Sequence, residues 1–175
     1  MAQQQTIIKL KIVGMEYITN LAEDPKVANE SAYGIKYVEP IEFYDFHVYY
    51  FARNDKSRKE AFDLLDKLLV DFQEYSLEGS IIVKKLPNDV VIGPHPTQFW
   101  EVDVKRPEIF VRILGWFQLN HGNLSVLIHP QTGDDLKDHT ERALWLGDKL
   151  PILTDIFSTS VTSVPPFGKP FGKPK

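Results

Sequence analysis

The chain contains no cysteine among its 175 residues. That absence excludes disulfides, cysteine nucleophiles, iron–sulfur clusters and thiolate zinc sites together. Any metal has to be held by histidine, carboxylate or water. A basic excess is missing too: 20 lysines and arginines face 24 acidic residues, for a net charge of −4. A dedicated nucleic-acid binder carries the opposite balance, so nucleic acid is not an expected partner. No run of 18 apolar residues occurs, so no membrane-spanning helix is expected. The chain does not open on a basic segment followed by an apolar one, and the expected location is cytoplasmic. Gly-rich phosphate loops, Walker motifs and a Gly-x-Ser-x-Gly elbow are also absent.

What remains is an ordinary folding composition. Apolar residues make up 43% and charged residues 25%, enough for one real core. Residues 1–40 read as an N-terminal extension, with a strand near Ile7 to Val13 and a loop around Asp24-Pro25, Asn29, Ser31 and Gly34. Residues 41–157 read as the main domain. Residues 158–175 hold two copies of Phe-Gly-Lys-Pro and read as a disordered Pro/Gly-rich tail.

Within the main domain, strands and helices alternate. Phe43 to Phe51 is a strand by its aromatics and valine. Ser57 caps a helix over Arg58 to Tyr75, where Ala61, Leu64, Leu65, Leu68, Leu69 and Phe72 make one apolar face. Ser80 to Lys85 and Thr97 to Val104 are the second and third strands, separated by the polar turn Pro87-Asn88-Asp89. Pro107 opens a helix whose buried face is Ile109, Phe110, Ile113, Leu114 and Phe117. Leu124 to His129 is the fourth strand. A last helix is expected from Leu136 to Leu146, capped by Gly147. The order is βαββαβ, an α+β ferredoxin-like sandwich.

Its usual strand order, 4-1-3-2, makes strands one and three central, here expected parallel. The start of strand one, the start of strand three and the end of strand four then share one sheet edge. That places His47, His95 of Gly93-Pro94-His95-Pro96, and His129 together, on strands spaced ~4.8 Å apart. Side-chain parity puts His129 on the open face, opposite Ile128 and Val126, and puts His47 there with Asp45 and Tyr49. Three imidazoles with an open position suit Zn²⁺. Two imidazoles with one carboxylate suit non-haem Fe(II). The nearby carboxylates are Asp45, Asp134, Asp135 and Asp138, and Glu101 ranks below them. One histidine at a strand end is more often a structural hydrogen-bonding residue; three on one edge favour a metal. His139, in the last helix, reads as a surface or capping contact, a fourth ligand or an acid/base group. His121 ends a helix, where a cation suits the dipole. Trp100, Trp116 and Trp145 read as core.

Several segments carry a family resemblance. These are Tyr44-Asp45-Phe46-His47-Val48-Tyr49, Gly93-Pro94-His95-Pro96, and the run from Asn120 to Pro130. The run Thr132 to Thr140 and Ala143-Leu144-Trp145-Leu146-Gly147 complete it. Together they resemble the DOPA 4,5-dioxygenase family over about residues 42–153. The resemblance implies a small ferredoxin-like protein, a homodimer, using a non-haem metal, Fe(II) or Zn, with O₂. It implies extradiol cleavage of a catechol such as L-DOPA to a seco product that can cyclise to betalamic acid. His47, His95 and His129 match family histidines and are the expected metal ligands. His139 matches the Asp-His-Thr histidine and is the expected proton acceptor, so His139 and His47 are the catalytic candidates. Tyr49, His121, Asp135 and Arg142 are the candidates for substrate contact. His121 departs from the family, where arginine is common. The competing readings are a zinc hydrolase or lyase on the same histidines, and a non-catalytic dimeric module that binds a small ligand.

Overall fold

The computed structural model of the chain describes residues 25–159 and two short strands before them. The strands are β1 (Lys11–Ile12), β2 (Met15–Tyr17), β3 (Phe43–Tyr50), β4 (Ile81–Lys85), β5 (Gln98–Val104), β6 (Val126–Gln131) and β7 (Leu144–Leu146). The helices are α1 (Pro25–Ala28), α2 (Asp55–Asp71), α3 (Gln73–Leu77), α4 (Pro107–Asn120) and α5 (Asp135–His139). The strands form one sheet in the order β1-β2-β4-β5-β3-β6-β7. Its middle, β4-β5-β3-β6, is the expected 4-1-3-2 arrangement. Of the strand expected over Ile7 to Val13, only Lys11–Ile12 is described. The Phe-Gly-Lys-Pro repeats lie outside the described residues.

Alternation builds the two faces. Phe46, Val48, Trp100, Val102, Val126 and Ile128 point one way and meet Ala61, Leu64, Leu65 and Leu68 of α2 and Ile109, Ile113 and Phe117 of α4. Trp100 fills the middle of this layer, and its indole N–H donates to the Ala61 carbonyl at 3.0 Å. Asp45, His47, Tyr49, Phe99, Glu101, Asp103, Leu127 and His129 take the alternate positions and are buried as well.

Several expectations change. The central strands β3 and β5 are antiparallel, pairing His47 with Glu101 and Tyr50 with Gln98. A right-handed strand–helix–strand unit makes β3 and β4 parallel, and the strand inserted between them has to oppose both. The last helix stops at His139. Leu144–Leu146 instead pairs antiparallel with Val126 to Ile128 as an edge strand. Gly147 closes that strand rather than a helix: it sits at φ +70°, and a Cβ there would meet the Leu124 carbonyl oxygen at 2.7 Å. Helix α2 ends at Asp71, where Phe72 (φ −118°, ψ 26°) interrupts it before α3. The loop expected after Asp24 contains α1.

Helix α2 also starts earlier than expected, at Asp55, because Asn54 is its cap. The Asn54 side-chain oxygen accepts from the Ser57 N–H at 3.0 Å. Asn54→Ala is expected to lower stability by about 1 kcal/mol, with the urea midpoint as the readout, and Asn54→Asp to retain it.

Candidate metal centre

The antiparallel pairing moves the histidines off the sheet edge and onto the middle of its second face. His47 lies centrally on β3, and His129 is on the neighbouring strand, opposite Asp45. Their rings are parallel within 5°, with Nε2 atoms 2.9 Å apart. His139 arrives from α5, its ring centroid 4.0 Å from that of His129. Helix α5 is one short turn that Asp134 caps by accepting from the Lys137 N–H. His139 at its last position then turns down onto the sheet. His95 comes from the opposite end, since β5 begins beside the end of β3. Its ring stands 4.5 Å from His47 and 5.5 Å from His139.

Four of the five histidines therefore share one buried cluster, and three of them converge by their ligand atoms. The candidate ligand atoms of His47, His129 and His139 all lie within 4.8 Å of one another. Hydrogen bonding explains which nitrogens these are. His129 Nδ1 faces the Pro130 carbonyl at 3.0 Å, and His139 Nδ1 faces the Asp135 carbonyl at 2.8 Å. A carbonyl only accepts, so both rings carry their proton on Nδ1 and turn an Nε2 lone pair inward. His47 Nδ1 is buried 3.3 Å from Glu101 Oε2, without a hydrogen bond in this geometry. His139 Nε2 is buried with no hydrogen-bond partner. Inward lone pairs on neutral imidazoles, two held from behind by carbonyls and the third backed by a carboxylate, are the donor set a metal ion needs.

Electrostatics agree. Burial, first of all, holds His129 and His139 down to about 3 and drives His47 and His95 well below the usual imidazole range. All four rings are neutral near pH 7, as ligation requires. Beside them lies a buried ionic row. Lys84 on β4 reaches Glu101 Oε1 at 2.5 Å and Asp103 Oδ2 at 2.7 Å. Asp45 Oδ2 accepts from the Gln131 amide at 2.5 Å and lies 3.9 Å from His129 Nε2. Burial pushes Asp45 and Asp103 up to about 7 and raises Glu101. Burial also opposes the charge of Lys84, but the carboxylates around it outweigh that effect and raise its pKa. Three carboxylates against one ammonium leave an excess of two negative charges when all are ionised, the charge of one divalent cation.

The remaining sequence candidates are scattered more widely. Tyr49 is in the cluster, its hydroxyl 2.7 Å from His95 Nδ1 and its ring stacked on Trp145 at 5.8 Å. Trp145 is half-buried and packs against the small core cluster of Tyr49, Leu86, Phe99 and Leu127 that borders the site. Asp135 is beside the site, with Oδ1 buried and without a hydrogen-bond partner. Arg142 bonds Asp138 at 2.9 Å and Thr132 at 2.5 Å. His121 is not brought to the cluster. It lines a groove on the helix side with Glu60 and Asp63, and its Nδ1 donates to the Leu124 carbonyl at 2.9 Å. Sequence reasoning missed Lys84 and Phe157. Phe157 packs its ring 5.6 Å from that of His139. Lys84 stands beside Lys85 at the end of the apolar run Ile81-Ile82-Val83, so composition did not single it out, and only strand parity separates the two lysines.

The fold and this centre define an α+β ferredoxin-like domain carrying a buried three-histidine group of metal-binding type. The model of the Dopa 4,5-dioxygenase family matches residues 44–156, and the chain belongs to that family. It is 31% identical over 141 residues to an uncharacterized 21.2 kDa protein of Botryotinia fuckeliana, covering 74% of this chain and 73% of that one. It is 31% identical over 114 residues to a DOPA 4,5-dioxygenase of Amanita muscaria, covering 64% of this chain and 48% of the Amanita protein. Among solved structures it resembles a "putative dioxygenase" from Nostoc punctiforme at 30% identity, with a TM-score of 0.57 over 67% of this chain and 92% of that chain. None of the helices among the described residues is long and apolar enough to cross a membrane.

Proposed function

We propose that the protein is a non-haem iron extradiol dioxygenase that opens the ring of a catechol, L-DOPA or a close relative, with O₂. The observation that carries this reading is the convergence of three neutral, buried imidazoles by their Nε2 atoms, in a chain of this family. His47, His129 and His139 are the residues that would hold the iron. Bound there, Fe(II) would supply the activation of O₂ and the acidification of a chelated catechol.

The chain supplies the rest. Phe99, Trp145 and Phe157 wall the cluster with aromatic surface, which favours a flat ring and excludes water. His95 is the histidine left free for proton transfer. The 2.7 Å contact between Tyr49 and His95 Nδ1 allows either direction; in the tautomer with Nδ1–H donating to the Tyr49 oxygen, the Nε2 lone pair takes a catechol hydroxyl proton and returns it to the product. The acid/base role expected for His139 and the ligand role expected for His95 thereby change places. The unpartnered Asp135 oxygen is the polar group available to a substrate ammonium, and Arg142 becomes available to a carboxylate only by releasing Asp138.

The test is an oxygen-electrode assay of protein loaded anaerobically with Fe(II), given L-DOPA and then caffeate. Uptake of O₂ together with a yellow ring-opened product is expected. Turnover by the Zn²⁺-loaded protein of an ester or amide, with no O₂ uptake from any catechol, would instead support the hydrolase reading.

A further inference from the structure

One row of side chains runs across the second face of the sheet: Lys84 on β4, Glu101 on β5 and His47 on β3. Each is the direct cross-strand partner of the next. All three are at most 3% exposed. Glu101 uses its two oxygens in opposite directions, Oε1 to Lys84 at 2.5 Å and Oε2 toward His47 Nδ1 at 3.3 Å. Lys84 is tied on its other side to Asp103 at 2.7 Å. A buried lysine paired with two carboxylates cannot swing, so it fixes the Glu101 carboxylate in place. His129 and His139 have backbone carbonyls behind them, which always accept. Behind His47 stands a side chain instead: Glu101, 3.3 Å from a buried Nδ1 that has no other hydrogen-bond partner.

We infer that Glu101, clamped by Lys84, is the positioning residue of the metal centre, setting the tautomer and ring orientation of His47 so that Nε2 is offered to the ion. The inference rests on the reading of the three histidines as metal ligands and does not depend on the reaction. A carboxylate behind a ligating imidazole raises its basicity and preorganises it, and its loss typically costs 10–100-fold in metal affinity.

The experiment is competition of the protein against a chromogenic chelator for Co²⁺, with the visible spectrum of the bound ion as a second readout. Glu101→Gln is expected to weaken Co²⁺ binding roughly 10–100-fold and to alter the spectrum, with Glu101→Asp recovering part of the loss. In a His47→Ala background the same Glu101→Gln change is expected to cost nothing further, because its effect passes through His47. Full-strength binding by Glu101→Gln, beside weakened binding by His139→Ala, would overturn the inference and leave the metal centre standing. No Co²⁺ binding by the wild type would remove both. Because Glu101 is buried, ¹⁵N-histidine NMR of the unmutated Zn²⁺-loaded protein, in which an ion rather than a proton lies between the Nε2 atoms of His47 and His129, provides a check independent of folding. A His47 ring protonated on Nδ1 is expected, and protonation on Nε2 would overturn the inference.

Discussion

His139→Ala should strip the protein of its metal, whereas His95→Ala should leave the metal bound and remove the rate. The contrast follows from where each ring points its nitrogens. His139 presents a buried, unpartnered Nε2 to the same small volume as His47 and His129. Removing a direct ligand costs more than removing a residue behind one, so affinity should fall by more than about 100-fold. His95 has its Nδ1 engaged by the Tyr49 hydroxyl, and its loss should cost about 10²–10⁴-fold in turnover, the usual worth of a positioned acid/base group. Metal content after anaerobic loading and gel filtration, set against O₂ uptake, separates the two. A metal-free His95→Ala with a metal-replete His139→Ala would restore the assignment that the sequence alone suggested.

The second large effect concerns stability. In Lys84→Met three buried carboxylates, Asp45, Glu101 and Asp103, lose their only ammonium partner in the row. Removing one side of a buried ion network costs roughly 3–5 kcal/mol, because the survivors stay buried and unpaired. The loss should depend on pH in a stated direction. Burial holds Asp45 and Asp103 at about 7 in the folded chain, above their ordinary value of 3.8. A carboxyl raised in this way binds its proton more tightly folded than unfolded. Its contribution is present at low pH and is lost as pH rises through about 7. Without Lys84 nothing offsets that loss. Urea melts of wild type and variant should therefore differ most at pH 8 and less at pH 5.5. An equal gap at both pH values would mean that the carboxylates do not carry the effect.

Much of this molecule was legible in the sequence because the information is local. Period-two alternation in Phe43–Tyr50 and Val126–Gln131 assigned His47 and His129 to the face away from the helices, and the structure agrees. Period 3.6 in α2 and α4 named the residues that meet the sheet. Boundaries were harder. Leu136 to Leu146 is apolar enough for a helix, yet Leu144–Leu146 finds better use as an edge strand on β6. Propensity decides little where backbone hydrogen bonds from a neighbouring strand are available. His121 illustrates the other limit. The family-like run Asn120 to Pro130 crosses from the helix layer into the sheet, so nearness in sequence to His129 did not mean nearness to the site.

The sequence by itself determined the βαββαβ order of the central elements, the helix-facing core, the absence of thiol chemistry and the candidate histidines. It did so because these depend on residue type and on periods of two or 3.6. Only the tertiary structure decided which three imidazoles converge and how they are supported. His139 and His95 meet His47 through α5 and the loop before β5, and Lys84 reaches Glu101 beside it through the register of β4 on β5. Those are long-range closures, and no local pattern encodes them. The antiparallel course of β3 and β5 turned an expected row along a sheet edge into a cluster buried in the sheet's second face. There, loss of water keeps the rings neutral and makes a single ammonium among three carboxylates decisive.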